Sequence, residues 1–93
     1  MYIYYPYPAN DGKHKYYIIT ASGKRVYFGA IGYEDYTMHK DPSRKARYIA
    51  QHKNKENWTK SGINTAGFWS RWLLWNQSTL QSSYNDIKNR FLI

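Results

Sequence analysis

The 93-residue chain carries 14 Lys and Arg against 6 Asp and Glu, a formal charge of +8, with 19% aromatic residues. One domain forms at this length, and its buried fraction is modest, so stability rests on a few large side chains; eleven tyrosines, four tryptophans and three phenylalanines supply that area. The absence of cysteine excludes a disulfide scaffold and a Cys-ligated zinc site, and no apolar run reaches the roughly 20 residues that cross a bilayer.

The N-terminal residues lack the basic start and aliphatic stretch of a secretory signal, so the chain reads as soluble and unprocessed. Its positive charge favours partners that are polyanions or acidic protein surfaces.

Residues 1–14 read as an extended arm, because Pro6 and Pro8 interleave with Tyr2, Tyr4, Tyr5 and Tyr7 and disfavour a helix. Four tyrosines would be costly to leave bare, so the arm is expected to cover either the domain's own core or a neighbouring protein. Residues 15–93 form a single small domain. Within it, residues 15–20 and 25–30 are β-rich, and the glycine-containing connection Ala21-Ser22-Gly23-Lys24 predicts a hairpin. Gly29 and Gly32 loosen the backbone without the spacing of a phosphate-binding loop, and residues 33–40 read as a structured loop.

Asp41-Pro42 predicts a helix start, with the aspartate as N-cap and proline where no backbone donor is needed. This helix is expected to reach about Lys55. Ala46, Ile49 and Lys53, with Tyr48 and His52 beside them, form a thin apolar side, while Arg44, Lys45, Arg47, Gln51 and Lys55 are left to solvent. Thr65 is the expected cap of a second helix, in which Phe68, Trp69, Trp72, Leu73 and Trp75 leave only Ser70 and Arg71 polar; this predicts the central helix. Ser78-Thr79-Leu80-Gln81 reads as a capping box before a third helix whose stripe is Leu80, Tyr84, Ile87 and Phe91. The expected fold is α+β: the arm and a β-hairpin packed on about three helices. Phe68, Trp72, Trp75, Leu80, Ile87 and Phe91 should meet Ile18 and Val26 or Phe28 in the core.

Chemistry is sparsely marked. His39 and Asp41, and the i, i+4 pair His52 and Glu56, are the residues from which a metal or phosphate site would be built, yet capping and a surface pair explain both spacings. No serine, threonine or lysine sits in a nucleophile or Walker pattern. No catalytic residue, cofactor or metal ligand is therefore assigned, and His14 is expected at the surface. The stronger signal is the mixing of cations with rings: Lys40, Arg44, Lys45, Arg47, Lys53, Lys55 and Lys60 accompany Tyr36, Tyr48 and Trp58. That mixture suits neutralised phosphates and stacked bases, and is also enriched at protein interfaces.

FGAIGYEDYTMHKDPSRKARYI followed by ENWTKSGINTAGFWSRWLLW, within residues 28–75, resembles a family of uncharacterised small basic proteins of nucleocytoplasmic large DNA viruses, the giant viruses. The resemblance covers the middle and C-terminal parts and thins over residues 1–14. It implies a viral origin and no catalytic residues. The expected role is a non-enzymatic structural protein of the virion, a minor capsid or virion-associated component made in the host cytoplasm or virus factory. It would bind capsid or other virion proteins through Tyr2, Tyr4, Tyr5 and Tyr7, by strand addition along the arm. The alternative is sequence-nonspecific binding of nucleic acid, double-stranded DNA in particular, through Lys40, Arg44, Lys45, Arg47, Lys53, Lys55 and Trp58.

Overall fold

The computed structural model describes residues 2–93, so Met1 of the arm lies outside the described residues. The fold is α+β. Strands β1 (Tyr7–Pro8), β2 (His14–Ile19) and β3 (Arg25–Ala30) form an antiparallel sheet in sequence order. Two strands would be marginal in water, and the arm supplies the third. The β2–β3 turn closes on Thr20, whose carbonyl accepts from Gly23 N–H at 2.9 Å and whose hydroxyl accepts from Lys24 N–H at 3.2 Å; Gly23 supplies the positive φ of 89°.

Period-2 alternation divides the sheet into two faces. Tyr16, Ile18, Val26 and Phe28 turn to the core, whereas Tyr17 and Tyr27, paired in register with each other, take the opposite face. At Gly29 φ is +75°, and a Cβ there would lie 2.8 Å from Leu74 Cδ1, so only glycine lets the sheet and the central helix approach this closely.

The expected loop at residues 33–40 contains a helical turn, α1 (Tyr36–His39). Its N-cap is Asp35, only 3% exposed, which accepts from Thr37 N–H and from Lys15 Nζ at 2.7 Å. This buried pair ties β2 to the segment before α2. Helix α2 (Pro42–His52) starts as expected, with Asp41 accepting from Ser43 and Arg44 N–H, but ends at His52 rather than Lys55. None of its residues is buried, so it is a surface element held by a narrow seam. Tyr48 forms that seam, stacked at 4.4 Å and 2° on Trp75 and at 4.5 Å on His52.

A 3₁₀ turn (Lys60–Gly62) leads to α3 (Ala66–Trp69), capped by the Thr65 hydroxyl, which continues without a break into a π-helical turn (Ser70–Leu74). Trp75 N–H donates to Ser70 O at 3.1 Å, five residues back. Phe68, Trp69, Leu73 and Leu74 are buried in this stretch. Trp69 is fully buried at the centre, and Trp72, expected in the core, packs against that core while partly buried. Trp72 lies at the margin, between the guanidinium groups of Arg71 and Arg90 at 4.4 and 4.6 Å from its ring.

The last helix, α4 (Leu80–Phe91), is capped by Thr79, not Ser78. Thr79 is extended and accepts from Ser82 N–H at 3.1 Å, while Gln81 Nε2 donates to Asn85 at 3.0 Å instead of folding back to a cap. The shift leaves the apolar stripe in place: Ile87 is buried, and Leu80, Tyr84 and Phe91 pack against the core of Ile18, Phe28, Ile63, Phe68, Trp69, Leu73 and Leu74. Among the described residues no helix is long and apolar enough to cross a membrane.

Candidate functional site

The arm is bound into the fold by Tyr4 and Tyr7, and Tyr5 packs edge-on against Tyr84 of α4 at 5.3 Å. Tyr4 N–H donates to Ile19 O at 2.8 Å, its hydroxyl donates to Asn64 Oδ1 at 2.7 Å, and its ring stacks on Trp69 at 6.4 Å. Tyr7 pairs with Tyr17 in the sheet, and its hydroxyl accepts from Tyr2 N–H at 2.8 Å. Tyr2, Ile3 and Tyr5 remain 77%, 52% and 40% exposed. Beside them the arm meets the end of α4, where Ile3, Tyr4, Lys60, Tyr84 and Ile93 line a groove of about 310 Å³ and Leu92 is 82% exposed. Contiguous apolar surface of this kind marks contact sites more often than scattered single residues do.

The basic helix is divided by its packing. Lys45 leaves the solvent face assigned to it: its Nζ donates to Asn76 O at 2.6 Å and lies 4.9 Å from the Tyr36 ring, and burial, then Arg71, lower its pKa. Trp58 is half-buried on the inner side of α2, 6.3 Å from Tyr48, with the Arg71 guanidinium 5.5 Å from its ring. Arg44 makes a loose pair with Glu34 at 3.3 Å. Lys40, Arg47, Lys53 and Lys55 are exposed and have no acidic partner among the described residues. Arg44, Arg47 and Gln51 also line a groove of about 280 Å³ completed by Tyr48 and Trp75, placing cations beside an aromatic stack.

The two histidine–carboxylate pairs do not share a site. His39 Nδ1 accepts from Asp41 N–H at 3.0 Å, so this pair shapes the start of α2. His52 and Glu56 line a different space, a cleft of about 560 Å³ between the sheet, α2 and α3 that also holds Lys15, Asp35 and Ser70. Glu56 packs against Gly67 in the first turn of α3, where a Cβ would overlap its carboxylate. Burial, then Glu56, push the Tyr48 hydroxyl up to about 12. Among the described residues no three metal-ligating side chains are grouped.

One surface escaped the sequence reading. Tyr7, Tyr17 and Tyr27 lie side by side across the three strands, at centroid separations of 5.7 and 5.4 Å. Tyr5 lies 5.1 Å from Tyr7, and His14 joins the row at 5.7 Å from Tyr27. The Arg25 guanidinium lies 4.9 Å from the Tyr17 ring. His14 is half-buried and paired with Asp11 at 2.7 Å, not free in solvent. Strand alternation carries the signal for this row, once Ile18 is opposite Val26 and Tyr17 therefore opposite Tyr27.

Residues 7–52 match the model of a family of unknown function (DUF5754). The match spans β1 through α2, and therefore the tyrosine row and the basic helix, but not α3 or α4. No curated protein and no solved structure matches the chain.

Proposed function

We propose that the chain is a non-enzymatic structural component of a virus particle, a minor capsid or virion-associated protein that binds other virion proteins. The observation that carries this reading is the apolar groove where the arm meets the end of α4, with Tyr2, Ile3 and Leu92 exposed around it. Interfaces place apolar and aromatic residues at their centre, and this groove is lined by Ile3, Tyr4, Tyr84 and Ile93 with Lys60 as its one charged residue. Tyr4 and Tyr7 hold the arm in place, and Tyr2, Ile3 and Tyr5 are the part of it offered to a partner. Strand addition would use the outer edge of β1, since its inner edge pairs with β2, but that edge is only two residues long and one of them is Pro8, which has no N–H to donate.

The test is co-sedimentation of the protein with capsid shells stripped of DNA. Ile3→Asp and Leu92→Asp, both at exposed positions, should abolish association while leaving the melting temperature unchanged. Deleting the arm would instead remove β1 and uncover Trp69, mixing folding with binding. Association that survives both substitutions would remove this reading.

The second reading is sequence-nonspecific nucleic-acid binding, supported by Lys40, Arg47, Lys53 and Lys55, exposed and without acidic partners among the described residues, and by the groove that Arg44, Arg47 and Gln51 line. Its signature is salt dependence. Affinity for duplex DNA should fall steeply between about 50 and 200 mM salt, and Arg47→Gln should flatten that slope.

A further inference from the structure

We propose that the outer face of the sheet, separate from both surfaces above, is a stacking platform for single-stranded nucleic acid. The core takes Tyr16, Ile18, Val26 and Phe28 from the sheet, and Tyr7, Tyr17 and Tyr27 stand on the other side. A solvent-facing side of an antiparallel sheet ordinarily alternates polar residues with the buried ones. This one carries an aromatic at the same register position on all three strands.

Charge decides which flat ligand fits. Arg25 lies against the Tyr17 ring, and Lys13 and Lys24, at the ends of the β2–β3 ribbon, are exposed with no acidic partner among the described residues. The carboxylate beside this face, Asp11, is engaged by the His14 ring and by the Lys13 and His14 N–H groups. Rings that accept bases, with cations flanking the row to meet phosphates, are the two components of sequence-tolerant single-strand binding. A duplex hides its base faces and would gain only the charge term. A neutral aromatic partner would gain nothing from the cations.

The test uses the full chain and a fluorescein-labelled single-stranded oligonucleotide of about twelve nucleotides, a length within the range one such surface covers, read by anisotropy beside a duplex of the same sequence. The single strand should bind more tightly than the duplex. Tyr17→Val and Tyr27→Val, which keep β-forming side chains, should each weaken single-strand binding about tenfold, in line with the loss of one stacked base, with the melting temperature measured alongside. Arg25→Gln should weaken it as well, whereas Arg47→Gln and Ile3→Asp should not. Three results would each overturn the proposal: no single-strand binding at about 50 mM salt, the ordinary low-salt condition for this term; equal binding of duplex and single strand; or unchanged binding in folded Tyr17→Val and Tyr27→Val proteins. Loss of single-strand binding on Arg47→Gln alone would assign it to α2 and also reject the sheet face.

Discussion

Replacing Trp69 with alanine tests the packing order inside the tryptophan-rich helix. Trp69 is 0% exposed, contacts Tyr4, Phe28 and Phe68, and donates its indole N–H to Ile63 O at 2.8 Å. Truncating a buried tryptophan removes its transfer free energy and leaves a cavity, together about 3–5 kcal/mol, and the orphaned Ile63 carbonyl places this site toward the upper end. A domain of this length is stable by about 5–14 kcal/mol in total, so the variant should be close to unfolding or barely folded. Trp72 is the comparison. It also donates its indole N–H, to Trp58 O at 2.9 Å, but it is only half-buried, and its cation contacts lie near the surface. Its truncation should cost about half as much, on the area argument. Parallel urea titrations followed by far-UV circular dichroism measure both; with a slope of about 1–3 kcal/mol per molar urea, the midpoints should be separated by roughly 1 M. A Trp69→Ala protein as stable as Trp72→Ala would refute the assignment of the core.

Asp35→Ala should destabilise the fold by about 3–5 kcal/mol, because it leaves the Lys15 ammonium without its buried partner and uncaps α1; chemical denaturation against the double variant Lys15→Met/Asp35→Ala, which should recover part of the loss, checks this. Gly62→Ala should be more damaging than Gly67→Ala, since the added Cβ overlaps the Asn57 backbone carbonyl in the first and the Glu56 side-chain end, which can swing away, in the second; thermal melts of the two should differ in that order. Tyr48 contributes to stability while it is neutral. With its hydroxyl raised to about 12, that contribution is fully present below the unfolded value near 10 and is lost as pH rises from about 10 to 12, so Tyr48→Phe should flatten the alkaline end of the stability–pH curve.

Features encoded within a few residues were legible. Asp41-Pro42 and Thr65 announce helix starts through side chains that reach the next turn, and the stripe of α4 survives a one-residue error in its cap because its spacing is periodic. Features that depend on distant partners were not. Asp35 finds Lys15 twenty residues earlier, and Lys45 is drawn inward by a carbonyl thirty-one residues later, so neither burial has a local sign. The tyrosine row required knowing that a two-residue strand from the arm joins β2 in register with β3. That Trp69 is more deeply buried than Trp72 has no local sign either, because the helix leaves regular α-helical phase at Ser70–Leu74.

The π-helical turn at Ser70–Leu74 bears on which length changes the fold accepts. Within it the backbone holds one more residue than an α-helix would between the same anchor points, and Phe68, Trp69, Leu73 and Leu74 all reach the interior from one short segment. Deleting a single residue there would let an ordinary α-helical turn join the same anchor points, so Trp75 would keep its stack on Tyr48 and α2 its seam. Adding one, beyond the extra residue the turn already absorbs, would rotate everything downstream by about 100°, carrying Trp75 off Tyr48 and so detaching α2. By contrast, Ala21, Ser22, Gly23 and Lys24 at the hairpin tip are all exposed, so insertions are accommodated there at little cost. Variation in length among homologous chains should accordingly gather at that tip, and between Thr65 and Trp75 be confined to loss of one residue in the π-helical turn.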